Sequence, residues 1–255
     1  MIWGYIQDPV RQSGLLLDYS QSSFFLLLIY GYLYHTLKSR QYFPLLTFIV
    51  ALAIFTSFSR TTNFLLAVFI LSLIVFRVYT REHSIKGGTI IAIVFAFVFL
   101  HLLPVILGSD AVDRGGLQDF NTLNSRTQYW SLAWQAIMEK PLLGHGLGNF
   151  EYLGAKDSFP NQKIFFVHND YLQIWMELGV IWFFLFIYSV GYLLIKHRQV
   201  IAIPLGVKGD LKRYIDWVML CCCAAYMAIN FIIGSLIFLL LIALIIARLT
   251  TYGEN

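Results

Sequence analysis

Apolar stretches of close to twenty residues recur along this chain, near 22–38, 43–58, 63–80, 88–107, 169–195, 214–230 and 234–249. Crossing a bilayer takes roughly 20 apolar residues, or a few fewer with snorkelling flanks. Only 13% of the residues are charged and mean hydropathy is +0.70, whereas about a quarter of a soluble domain is charged. The runs lack the period-2 alternation of strands, which argues against a membrane β-barrel and for helices. The expectation is an all-α polytopic membrane protein with about seven transmembrane helices, forming a single membrane domain over 1–255. Within the last apolar stretch, 217–249, Asn230 and the Gly234-Ser235 pair favour a tight turn between two short helices over one long tilted helix.

Lys and Arg set the orientation, because cytoplasmic loops are enriched in them. Placing the polar segment 108–168 outside, between the fourth and fifth spans, leaves Lys38, Arg40, Arg77, Arg81, Lys86, Lys196, Arg198, Lys208, Lys212, Arg213 and Arg248 inside. The C-terminus is then cytoplasmic. The net charge of +4 reads as a topology signal, and no nucleic-acid partner is implied. Residues 1–21 would lie outside with no preceding span and no signal-peptide pattern, which suggests that a longer relative carries an N-terminal half. Cys221, Cys222 and Cys223 are consecutive on an apolar helix, a poor geometry for a disulfide or a metal site, and read as packing residues.

The external segment gathers most of the chemistry. GSDAVDRGGLQDFNTLN, 108–124, reads as irregular loop. From Asn124 the pattern becomes helical, with Ser125 and Gln128 as a capping pair, then Trp130, Ala133, Trp134, Ile137 and Met138 at helical spacing, ending before Pro141. Arg126 falls in the first turn of that helix, where free N–H groups favour anions. Two readings stand for it, a diphosphate site and a solvated surface residue. PLLGHGLGNF, 141–150, has three alternating glycines that permit a tight loop presenting His145, or a purely structural turn. No strand precedes it, so it is not a dinucleotide fingerprint.

VHNDYLQIWMELG, 167–179, places His168 and Asn169 where the chain re-enters the membrane. A neutral imidazole there suits a general base near physiological pH, and a boundary histidine bonded to Asn169 or water is the alternative. Glu177 is about half a helical turn out of phase with His168, so the two do not form an obvious dyad. Arg60, in SFSRTTN at the outer turn between the second and third spans, runs against the charge bias; it is either a snorkelling cation or a second fixed cation at that membrane face. His101, inside the fourth span, fits an interfacial hydrogen bond and is left out of the site.

Ser59-Arg60, the helix from Arg126 to Trp134, PLLGHGLGNF and HNDYLQ with Glu177-Leu178-Gly179, in this order around one outer loop, resemble the O-antigen ligase and polymerase superfamily of bacterial membrane glycosyltransferases, over about residues 59–195. The resemblance implies a GT-C-like helical enzyme of the bacterial inner membrane, with a large periplasmic loop. Its donor would be a glycan on undecaprenyl diphosphate and its acceptor a hydroxyl on lipid A-core. A repeat-unit polymerase and a protein O-oligosaccharyltransferase share the same donor chemistry. By resemblance, Arg60 and Arg126 hold the diphosphate and His168 activates the acceptor; His145 and Asn169 complete the substrate-binding set.

Positioned cations and a base are also what this chemistry needs on general grounds, since a lipid diphosphate leaves with developing negative charge. No Asp-x-Asp triplet occurs, which fits a metal-free donor, and no cofactor is implied. Relatives carry about a dozen spans, so seven correspond to their C-terminal part; Trp182 stands where they often have glycine. A non-catalytic transporter or assembly subunit, or an inactive fragment, is the reading from another class. A transporter would call for charges paired within the spans and for internal repeats, and the sequence displays neither.

Overall fold

Gly179 breaks the expected 169–195 span in two. The computed structural model describes residues 19–37, 40–57, 59–80, 91, 93–95, 122–153, 166–198, 210–230 and 235–251, and these contain helices and no strand. In chain order they are α1 (Tyr19–Leu37), α2 (Phe43–Phe55), α3 (Arg60–Thr80), α4 (Thr122–Glu139), a 3-10 turn (Phe150–Tyr152), α5 (Asp170–Leu178), α6 (Val180–Lys196), α7 (Leu211–Met227) and α8 (Leu236–Thr251). The all-α expectation holds. The 88–107 span is described only at 91 and 93–95, which are helical. His101, most of the N-terminal tail and residues 108–121 of the expected 108–124 loop lie outside the described residues, while 122–124 of that loop are helical.

Thr61–Thr80 is long and apolar enough to cross a membrane; Phe43–Phe55, Val180–Lys196 and Leu236–Thr251 are apolar but shorter. The last apolar stretch forms two helices, as Asn230 and Gly234-Ser235 suggested, and all three cysteines on α7 are free thiols. At the α5–α6 break, Gly179 has φ +85°, a conformation that side chains with a Cβ rarely adopt.

The chain divides into two compact units. The first comprises Met1–Gln118, Arg198–Cys222 and Leu240–Asn255, and the second Asp119–His197 and Cys223–Leu239. In the first, α1, α2 and α3 pack mutually around Phe24, Leu27, Leu28, Tyr34, Phe43, Ile54 and Phe69, all buried. Pro44 sits in the first turn of α2, where its missing N–H costs no helical bond. Tyr34 meets Phe43 edge-on with ring centroids 5.3 Å apart, and the Tyr30 hydroxyl pairs with Thr47 at 2.9 Å. Aromatic pairs of this kind add about 0.5–1.5 kcal/mol beyond burial.

Also in this unit, Asp216 on α7 is fully buried and forms a 3.0 Å ion pair with Arg248 on α8. Arg248 also donates to the Tyr32 carbonyl at 2.8 Å and lies 4.2 Å from the centroid of the Tyr32 ring. The pair corrects the expectation that the apolar segments hold no paired charges: Arg248, a topology charge by sequence, is bonded to a residue far away in the chain, and the fold brings the two together.

The second unit buries Tyr129, Ala133, Ala136 and Ile137 of α4 with Phe150, Val167 and Met176. Those α4 positions follow the i, i+4, i+7, i+8 spacing of one helical face. The face is rotated from the one expected: Trp134 and Met138 are about half exposed, and Tyr129 and Ala136 are buried instead. Residues of α4 pack on α5, and those of α5 on α6.

Candidate active site

Two turns and one helix face meet in the second unit. The helix α4 begins at Thr122, so Ser125 lies inside it and not at its cap. Arg126 is accordingly in the second turn, past the N–H groups that a helix start leaves free, which corrects the first-turn placement. What holds its guanidinium is a side chain, since Arg126 Nη2 donates to Asn230 Oδ1 at 3.1 Å. Asn230 is 4% exposed, and its buried Nδ2 has no hydrogen-bond partner among the described residues. Leaving such a donor unpaired costs on the order of 1–3 kcal/mol.

Three residues along the same face of α4, the buried Tyr129 stacks on His168, with ring centroids 5.9 Å apart and planes 29° from parallel. Burial pushes the Tyr129 phenol up from its ordinary value, so it meets the imidazole as a neutral ring. His168 has φ +57°, and no other described non-glycine residue has a positive φ. This left-handed conformation costs roughly 1–2 kcal/mol, and strain of this kind collects where a site over-determines the backbone.

The flanking bonds account for that constraint. Val167 N donates to Gln173 Oε1 at 2.8 Å on one side of His168. On the other side Asn169 is the N-cap of α5: its Oδ1 accepts from Leu172 N at 3.1 Å, and its Nδ2 donates to the Ala228 carbonyl at 2.9 Å. Capping by Asn is worth about 1 kcal/mol. The same side chain thus starts the helix and ties the His168 turn to the 228–230 turn that bears Asn230. Tyr171 adds a second tie, from its hydroxyl to the Ala224 carbonyl at 2.9 Å.

The glycine loop has a different task. His145 N donates to Met176 O and Gly146 N to Glu177 O, both at 2.8 Å, so the loop caps the carbonyls that the end of α5 leaves free. Val180 N, opening α6, reaches back to Pro141 O at 2.9 Å. Gly144 has φ +69°, and a Cβ there would run into the Glu177 carbonyl; one on Gly179 would run into Leu142 O. The close approach of the two backbones, more than a ligand, accounts for glycine at these positions. His145 places Nε2 2.7 Å from the Ala136 carbonyl, which accepts only, so Nε2 carries the proton.

Glu177 turns toward this loop and not toward His168, as the helical phase predicts. Its Oε1 accepts from Gly148 N at 3.0 Å and from Gln173 Nε2. The bonded sequence Gly148, Glu177, Gln173, Val167 therefore links the glycine loop to the strained histidine turn.

Arg60 belongs to the first unit. Ser59 Oγ accepts from Thr62 N at 3.3 Å, so Ser59 is the N-cap of α3 and Arg60 its first residue. Ser59 Oγ also pairs with Ser20 and with Thr62, at 3.0 Å each. The Ser-Arg order thus has a local cause: serine is a preferred cap, and the cation comes to the positive end of a helix, a placement that an anion would offset. The Arg60 side chain lies outside what the structure describes.

Among the described residues, no cluster of three His, Cys, Asp or Glu side chains is placed to hold a metal ion. A guanidinium bound at one end of this site and an imidazole at the other provide for anion binding and proton transfer. The fold gathers the sequence candidates Arg126, His168 and Asn169 with two residues that were not candidates, Tyr129 and Asn230. The signal for Asn230 in the sequence is a polar amide inside an apolar run, which was read as marking a turn.

No curated protein and no solved structure matches the chain. Among protein families, the one described as O-antigen ligase matches residues 45–187, a segment that holds Arg60, Arg126, the glycine loop and the His168 turn. By that match, which covers more than half of its 255 residues, the chain belongs to the O-antigen ligase family, and is with it a membrane-integral protein of glycosyltransferase type.

Proposed function

We propose that this protein transfers an oligo- or polysaccharide from undecaprenyl diphosphate to an acceptor hydroxyl, with lipid A-core as the acceptor. The carrying observation is the convergence of Arg126, Tyr129, His168 and Asn169 in one compact unit. In the reaction the acceptor oxygen bonds to the anomeric carbon of the donor sugar. The bond from that carbon to the diphosphate oxygen breaks, and the diphosphate leaves with the electron pair. His168 takes the acceptor proton. Arg126 holds the leaving diphosphate, where a fixed cation stabilises charge that grows in the transition state. His145 and Asn169 hold the substrate side through the two turns they brace. The enzyme sits in the inner membrane with the 108–168 loop periplasmic and the C-terminus cytoplasmic, the orientation favoured by its Lys and Arg distribution.

Ligase, polymerase and protein oligosaccharyltransferase differ in acceptor and not in donor, so the test is genetic. The gene is expressed in a ligase-deficient strain and, separately, in a polymerase-deficient strain, and the lipopolysaccharide ladder is scored. A ladder in the first strain alone supports the ligase reading, and one in the second alone supports the polymerase. If Arg126→Ala and His168→Ala restore the ladder as well as wild type does, the site is wrong.

A further inference from the structure

Asn230 lies outside the family-matched segment 45–187, yet its side chain engages the guanidinium of Arg126. A guanidinium only donates, so the amide oxygen must face Arg126 and the NH2 group must face away from that bond. That buried NH2 has no partner among the described residues, although buried polar groups are nearly always paired. Its position is well fixed: Ile229 N and Asn230 N donate to Tyr226 O at 3.1 and 2.9 Å, and Asn169 holds the Ala228 carbonyl. One turn along α4 from Arg126, Trp130 Nε1 is a second buried N–H without a partner.

We propose that Asn230 is a binding residue for the diphosphate of the lipid-linked donor, its Oδ1 aligning the Arg126 guanidinium and its Nδ2 donating to an oxygen of the same diphosphate. The inference rests on the reading of Arg126 as a diphosphate-binding residue. A phosphate oxygen only accepts, which matches the unpaired NH2 and the remaining guanidinium donors. The amide adds a donor without adding charge, so its contribution persists at salt concentrations that screen the arginine.

The test is binding of undecaprenyl diphosphate to the full chain in detergent, at low and high salt, for wild type, Arg126→Ala, Asn230→Ala and Asn230→Asp, with folding checked by circular dichroism. Asn230→Ala is expected to bind about tenfold more weakly, by a similar factor at both salt concentrations. Asn230→Asp, which keeps the side-chain shape should the alanine variant misfold, is expected to bind at least as weakly, because its carboxylate neutralises Arg126 and repels phosphate. If Arg126→Ala loses binding while both Asn230 variants bind like wild type, the role of Asn230 is overturned and the diphosphate site stands. If Arg126→Ala itself binds like wild type, the diphosphate reading fails and this inference fails with it.

Discussion

Arg126 and Asn230 stand 104 positions apart in the chain, and the guanidinium of one donates to the amide oxygen of the other at 3.1 Å. The bond fixes a cation against a buried turn. The segment Cys223–Leu239, which bears Asn230, belongs to the same unit as α4 and α5.

Arg126→Lys keeps the charge and loses the forked geometry that meets Asn230. An ammonium is a point charge with no planar fork. The expected outcome is a kcat/KM for the donor lowered by about tenfold, equivalent to about 1.4 kcal/mol, with kcat falling alongside. Steady-state kinetics against a lipid-linked donor read this, and an unchanged kcat/KM would sink it.

Asn169 has two separable tasks. Alanine removes both the cap on α5, about 1 kcal/mol, and the bond to Ala228, about 1 kcal/mol more. Aspartate keeps the cap and loses the donor, so Asn169→Asp should recover roughly half of the thermal shift caused by Asn169→Ala. Equal shifts would mean that only one of the two bonds matters.

Asp216 and Arg248 should behave as a coupled pair. Removing either partner leaves a charge in an apolar setting and is expected to cost about 3–5 kcal/mol. Replacing both, as Asp216→Leu with Arg248→Met, should return stability close to wild type. A double-mutant cycle on denaturation midpoints measures this; additive losses would contradict it.

Gly179→Ala should be far more damaging than Gly148→Ala. Both positions have positive φ, but a Cβ on Gly179 meets the Leu142 backbone while one on Gly148 has nothing within 4 Å. The second change costs on the order of 1–2 kcal/mol for the left-handed conformation alone. The first adds a backbone collision, and limited proteolysis should find the 141–150 loop released only in that variant.

The sequence by itself determined the helical class, the helix that ends before Pro141 and the division of the last apolar stretch, and it named Arg126, His168 and Asn169 as candidates. Each rests on local physics: hydropathy, the helix-breaking of proline and glycine, and side chains that occur where the chain changes environment. Tertiary structure alone decided the rest. Glycine at 144 and 179 reflects how closely two backbones approach, which no local pattern reports. Which face of α4 is buried depended on Phe150, Val167 and Met176 arriving from elsewhere. Asp216 met Arg248, and Asn230 met Arg126, because helix packing and not sequence spacing sets which buried polar groups find each other. A buried polar group needs a partner, and only the fold chooses which one.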